Sequence, residues 1–201
     1  AQLPLQYHPA PREVLVGGWG TGRSVGSFTV DPRIERIDVV ELERAVLGAA
    51  DWFREANHDA IRNPRVHVHV DDARNFVQRE RRTFDLILSD PPDCWITGPS
   101  HLFTVEHLRA AKARLRPGGI YAQWVATFGI GDAARRSLLR TFGEVFRHVD
   151  VWLANDPVEE VLVASDTPLV FDLAGFRARL EHPPVRQELE RIGMADPAVR
   201  A

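Results

Sequence analysis

Cysteine occurs once in this chain, at Cys94. An internal disulfide cannot form and a multi-cysteine zinc site is excluded, which fits a reducing compartment and sets the expectation of a cytoplasmic protein. Long hydrophobic runs are also missing: no stretch approaches the roughly 18 apolar residues that a membrane span takes. This stretch of chain is therefore expected not to span a bilayer, and to be tethered to a membrane only through a longer chain. It opens on Ala1 rather than Met, with no signal-peptide pattern before its first strand, so a trimmed chain or a fragment of a longer protein is expected. An excess of basic charge is absent as well. The 25 Lys and Arg against 28 Asp and Glu leave a net charge of -3, too little positive field to hold a nucleic acid or an acidic membrane surface. The cluster Arg79, Arg81 and Arg82 reads as a solvated helix end.

Several chemical signatures are missing too. The lysine and Ser/Thr of a phosphate-binding P-loop do not follow the glycine-rich turn. There is no G-x-S-x-G elbow for a hydrolytic serine. His67 and His69 lie on one strand face without an evident third ligand, so no metal site is expected.

What is present is an alternation of strands and helices. With 201 residues, 44% of them apolar, the chain can bury a substantial core as one domain. Apolar runs predict strands at 13–17, 36–41, 65–70, 84–89, 120–125, 145–152 and 159–164. Helical spacing predicts helices at 23–30, 43–53, 73–80, 104–115 and 132–142, with Pro117-Gly118-Gly119 ending the fourth. Strands separated by helices imply parallel βαβ units with right-handed crossovers. The last two strands are joined by a short Asn155-Asp156-Pro157 turn, so the final strand is expected to run antiparallel in a seven-stranded α/β sheet. Residues 1–165 read as the catalytic domain and 166–201 as a helical tail packed on it, with one or two surface helices from Asp172 onward.

The chemistry-bearing residues fall at strand ends. Gly17-Gly18-Trp19-Gly20-Thr21-Gly22 leads from the first strand into a helix, where glycine permits a tight turn and a close ligand approach. Glu41 closes the second strand about 20 residues later, where an acid can accept both hydroxyls of a ribose. NAD and a sulfonium nucleoside both satisfy that pairing. Asp72 follows the third strand and can accept from an adenine amino group or cap the next helix. The fourth strand runs into Ser89-Asp90-Pro91-Pro92-Asp93-Cys94-Trp95, whose two carboxylates can draw in a cation or share a proton.

Together these residues resemble the spermidine synthase (polyamine aminopropyltransferase) family, most of all its bacterial branch with membrane-fused synthase domains. Leu3-Pro4-Leu5 with His8-Pro9 is similar to the segment before that branch's first strand. Gly18-Trp19-Gly20-Thr21-Gly22 resembles its G-x-G-T-G turn, and Val39-Val40-Glu41-Leu42-Glu43 its V-V-E-I-E/D strand end. Asp72-Ala73-Arg74 matches D-G/A-R, and Asp90-Pro91-Pro92-Asp93 keeps the D-x-x-D spacing. Leu102-Phe103-Thr104, Arg116-Pro117-Gly118-Gly119 and Gln123-Trp124 resemble its L-F-T, R/K-P-G-G and Q-W elements. The helix after Thr104 carries Val105-Glu106-His107-Leu108, without the tyrosine often found there.

The resemblance implies a Rossmann-like class I methyltransferase fold. It also implies aminopropyl transfer from decarboxylated S-adenosylmethionine to a polyamine such as putrescine, without a metal and with methylthioadenosine as the by-product. By carry-over, Gly18, Gly20, Gly22, Glu41, Asp72 and Ala73 would hold the donor, Glu41 at the ribose and Asp72 at the adenine. Asp90 would take the proton of the attacking amine. Asp93 would orient that amine, with Trp95 and Gln123 beside the substrate. A homodimer is the family's expectation. Two other readings share these residues: a methyltransferase using S-adenosylmethionine itself, and a non-catalytic nucleoside-binding domain of a larger membrane protein. Asp90-Pro91-Pro92 is similar to the D/N-P-P-Y/F/W loop of amino-group methyltransferases, but Asp93 stands where that loop needs an aromatic.

Overall fold

The structure is a computed structural model and describes residues 1–91, 98–153 and 159–194. Its described strands are β1 Glu13–Gly17, β2 Arg36–Glu41, β3 Val66–Val70, β4 Phe84–Ser89, β5 Leu115–Ala126, β6 His148–Leu153 and β7 Glu159–Ser165. They form one sheet in the order β3-β2-β1-β4-β5-β7-β6. The pairs β1–β2, β2–β3, β1–β4 and β4–β5 are parallel. β7 runs antiparallel to both β5 and β6, so the reversed last strand expected from the sequence is wedged between them. The described helices are α1 Arg23–Thr29, α2 Arg44–Gly48, α3 Ala73–Arg79, α4 Val105–Lys112, α5 Asp132–Val145, α6 Leu173–Leu180 and α7 Pro183–Arg191. None is long and apolar enough to cross a membrane.

Side chains alternate between the two faces of a strand, and two cores follow from that. Val14, Val16, Val39, Leu86 and Leu88 pack on one face with Phe28 of α1. Leu15, Val40, Ile87 and Tyr121 pack on the other with Leu108 of α4 and Phe142 of α5. All six residues of β4 are buried, as a central parallel strand covered on both faces requires. Each fully buried aromatic or branched side chain contributes about 1.5–3 kcal/mol, so the central strands anchor the domain.

Several element boundaries differ from the sequence expectation. The helix expected over 43–53 is α2 followed by a 3-10 turn at Ala50–Phe53. The five residues of α2 include none that is buried and Trp52 is 87% exposed, so no continuous apolar stripe holds a longer helix. The fourth helix ends at Lys112 rather than 115, and Pro117-Gly118-Gly119 lies inside β5, where the pairing with β4 shifts between Phe84 and Leu86. Gly118 has φ 79° there, a conformation glycine tolerates in a bulged strand. The helix expected to stop at 142 continues to Val145, because Phe142 and Val145 share one buried face. β6 therefore starts at His148 rather than Val145. The Asn155-Asp156-Pro157 turn lies outside the described residues.

The C-terminal helices lie against the α1 side of the sheet. Phe176, Val185 and Leu189 are buried together, with Val30 packed against them. Arg179 donates to Asp31 at 3.2 Å, and the His58 ring lies 2.9 Å from the Glu188 carboxylate.

Candidate active site

In a parallel sheet all carboxyl ends lie along one edge, and a crevice opens where successive connections leave in opposite directions. Here that point is between β1 and β4, since β2 and β3 extend the sheet to one side of β1 and β4 and β5 to the other. Two adjoining cavities sit at this point. One, of about 290 Å³, is lined by Val40, Leu42, Asp72, Ala73 and Leu102 among others. The second, of about 380 Å³, is lined by Trp19, Thr21, Arg23, Ser24 and Asp90 among others. Gly18, Glu41 and Pro91 line both, so the two are lobes of one cleft with Glu41 at the junction.

The glycine turn is shaped by contact as well as by backbone angle. Gly18 has φ 103°, and a Cβ there would stand 2.7 Å from the Asp90 carbonyl oxygen. The loops after β1 and β4 approach too closely for a side chain. Gly22 has φ 81°, and its Cβ would enter the Trp19 ring. Gly20, at φ 56°, faces open space.

Glu41 is only 9% exposed. One carboxylate oxygen accepts from the Trp19 backbone N–H at 2.8 Å and the other from the Glu43 N–H at 2.9 Å. The strand-end acid thus holds the glycine turn in place while keeping lone pairs free for a ligand. Asp72 caps α3 by accepting from the Asn75 N–H at 2.9 Å, so the capping role is realised. It uses Oδ1, and the second oxygen has no partner among the described residues. Asp90 is half-buried. Its carboxylate accepts from the Ser24 hydroxyl at 2.7 Å, and its backbone N–H donates to the Gly17 carbonyl at 2.9 Å.

These rim acids differ from those elsewhere. Buried Asp31 is paired with Arg33 and Arg179, Asp38 with Arg36, Arg82 and His69, and Asp85 with Arg116. Guanidinium and backbone hydrogen bonds outweigh burial and hold all three carboxyls below the usual carboxylate range. Glu41, Asp72 and Asp90 have no cationic partner among the described residues. Arg23 and Arg74 also line the cleft, but acids left outside ion pairs in a partly dry setting still attract a cation.

Gln123 lies at the same sheet edge, opposite Ser89 in the β4–β5 register. It is fully buried and accepts from the Tyr121 hydroxyl at 2.9 Å, while its amide nitrogen has no partner among the described residues. It lines neither lobe. Asp93 and Trp95 lie outside the described residues, as do Pro92 and Cys94. Sequence reasoning missed Ser24, whose only signal is its place just after the glycine turn. It also missed His107 of α4, near Asp72 and Arg74. Burial, then the positive charge of Arg74, lowers the His107 pKa to about 4 against a smaller opposing effect of Asp72.

A family model described as the spermine/spermidine synthase domain matches residues 1–158. The chain belongs to the spermine/spermidine synthase family. Among curated relatives of this family member, the polyamine aminopropyltransferase of Aeropyrum pernix is 28% identical over 198 residues, covering 94% of this chain. The chain spans 63% of that relative's length. Among solved structures, a spermidine synthase in complex with the transition state analogue AdoDATO superposes with a TM-score of 0.80 at 20% identity, covering 91% of this chain and 64% of that one. Human methyltransferase-like protein 13 in complex with SAH superposes with a TM-score of 0.71 at 20% identity, covering 94% and 88%. At such identities these likenesses establish the fold, the Rossmann-like one shared with class I methyltransferases.

Proposed function

We propose that this chain transfers an aminopropyl group from decarboxylated S-adenosylmethionine to a polyamine such as putrescine. The observation that carries the reading is the gathering of Glu41, Asp72 and Asp90 around the glycine turn without an ion-pair partner among the described residues. Such a cleft suits a sulfonium donor and a polyamine, both cations. In this reading Glu41, at the junction of the lobes, accepts from the ribose hydroxyls. Asp72 offers its free oxygen to the adenine amino group, with Ala73 and Leu102 as apolar walls. Gly18, Gly20 and Gly22 let the backbone come close to the donor, and its tail runs into the lobe of Ser24 and Asp90.

The acceptor amine is mostly protonated at neutral pH and cannot attack in that form. Asp90 draws it in and accepts the proton released as the nitrogen bonds to the carbon beside sulfur. The carbon–sulfur bond breaks in the same step, and methylthioadenosine leaves with the electron pair. Because the sulfonium is already a good leaving group, the protein mainly supplies alignment and charge control. Asp93 would steer the second amine and Trp95 would bound the alkyl chain, whereas Gln123, buried and outside both lobes, has no place against the substrate in this reading. The described part of the tail, 166–194, braces α1 as part of the same unit, and a cytoplasmic location belongs to the same reading.

The test is incubation of the full chain with each sulfonium nucleoside and a panel of amines, followed by mass spectrometry. Aminopropylated product from the decarboxylated donor is expected, and Asp90→Asn should abolish it while calorimetric nucleoside binding persists. Methylated amine from S-adenosylmethionine alone, or undiminished turnover by Asp90→Asn, would refute the assignment.

A further inference from the structure

The donor-tail lobe holds one cation among its acids. Arg23, the first residue of α1, lines it together with Thr21, Ser24 and Asp90. Arg23 is exposed and has no hydrogen-bond or ion-pair partner among the described residues. Most arginines on this scaffold are committed: Arg33 and Arg179 to Asp31, Arg36 and Arg82 to Asp38, Arg116 to Asp85 and Glu13. The lobe therefore offers an anionic wall at Asp90 and a guanidinium at Arg23 whose charge no carboxylate among the described residues neutralises.

We propose that Arg23 is a specificity-determining residue that lets the cleft hold a sulfonium nucleoside through an α-carboxylate on its tail, in addition to the decarboxylated form. The inference rests on the proposed placement of the donor, with the nucleoside toward Asp72 and the tail beside Asp90. A tail bearing an ammonium and a carboxylate finds a partner of opposite sign for each: Asp90 for the first, Arg23 for the second. A tail bearing the ammonium alone meets Asp90 favourably and Arg23 unfavourably. Guanidinium and carboxylate pair through two parallel hydrogen bonds when geometry allows. Cleft walls screen such a pair less than open solvent does.

The experiment is calorimetric titration of the full chain with S-adenosylmethionine and with its decarboxylated form, for the wild type, Arg23→Gln and Arg23→Glu. Arg177→Glu, an exposed change on α6 with the same effect on net charge, is the control. The wild type is expected to bind both nucleosides. Arg23→Glu should lower the affinity for the carboxylate form relative to the decarboxylated form by about tenfold or more, Arg23→Gln by less, and Arg177→Glu not at all. If both nucleosides bind and the ratio is unmoved by Arg23→Glu, or moves equally with Arg177→Glu, the role of Arg23 is overturned while the donor site stands. If the wild type binds neither nucleoside, the donor site itself fails, and the role of Arg23 with it.

Discussion

Ser24 and Asp90 are 66 residues apart in the chain, and the hydroxyl of one donates to the carboxylate of the other at 2.7 Å. The contact ties the first turn of α1 to the loop after β4, where the backbones also meet through the hydrogen bond from the Asp90 N–H to the Gly17 carbonyl. It fixes which Asp90 oxygen is engaged, and the other has no hydrogen-bond partner among the described residues. Ser24 is thus a positioning residue for the proposed base. Ser24→Ala is expected to lower kcat for aminopropyl transfer by about tenfold, the scale of one hydrogen bond to a charged group, with KM and melting temperature little changed. Ser24→Thr should restore most of the rate. A loss that fell on KM or on stability instead, or no rescue by threonine, would remove the positioning role.

Glu41 serves the fold and the ligand at once, and two variants separate the roles. Glu41→Ala leaves the nearly buried Trp19 N–H without its acceptor, at a cost of about 1–3 kcal/mol, and removes the ribose acceptor. Glu41→Gln keeps one acceptor oxygen and should fold closer to the wild type while still binding nucleoside about tenfold more weakly. Chemical denaturation and calorimetry on the same samples read both effects. Unchanged affinity in the glutamine variant would mean that Glu41 only holds the turn.

Gly18 and Gly20 both have positive φ but face different surroundings. Gly18→Ala must displace the Asp90 carbonyl and is expected to cost about 2 kcal/mol or more and to weaken nucleoside binding. Gly20→Ala meets no protein atom and should cost about 1 kcal/mol from its backbone angle alone. Equal melting temperatures for the two variants would show that the loops after β1 and β4 are not in the close contact described.

His107 gives the fold an acid sensitivity. Its pKa falls from 6.5 to about 4 on folding, chiefly through burial, so between those values the unfolded chain binds a proton that the folded chain excludes. Its contribution to stability is full above pH 6.5 and is lost as pH falls toward 4, by up to about 3 kcal/mol. His107→Phe should flatten the fall in unfolding free energy across that window. An unaltered pH profile in the variant would place the acid sensitivity elsewhere.

The sheet and the position of several residues along its edge were legible in the sequence. The runs ending at Gly17, Glu41 and Ser89 end there in the structure, because a buried strand in an α/β sheet carries a nearly continuous apolar signal. Boundaries at Gly48, Lys112 and Val145 were less legible. Whether Arg116-Pro117-Gly118-Gly119 stops a helix or bulges a strand depends on Leu115 pairing with Phe84, a partner from β4. The role of Ser24 was not legible at all, since its partner arrives from another strand.

The order of strands and helices was sufficient to place Gly18, Glu41, Asp72 and Asp90 together, because parallel strands joined by right-handed crossovers must put all their carboxyl ends on one edge. Only the tertiary structure decided which charges remain available there. Asp38 is neutralised by Arg82, 44 residues away, and Asp31 by Arg179, 148 residues away, whereas Glu41, Asp72, Asp90 and Arg23 find no such partner among the described residues. The strength of a charge pair depends on distance through space and on the dielectric between the groups, and neither is set by position along the chain.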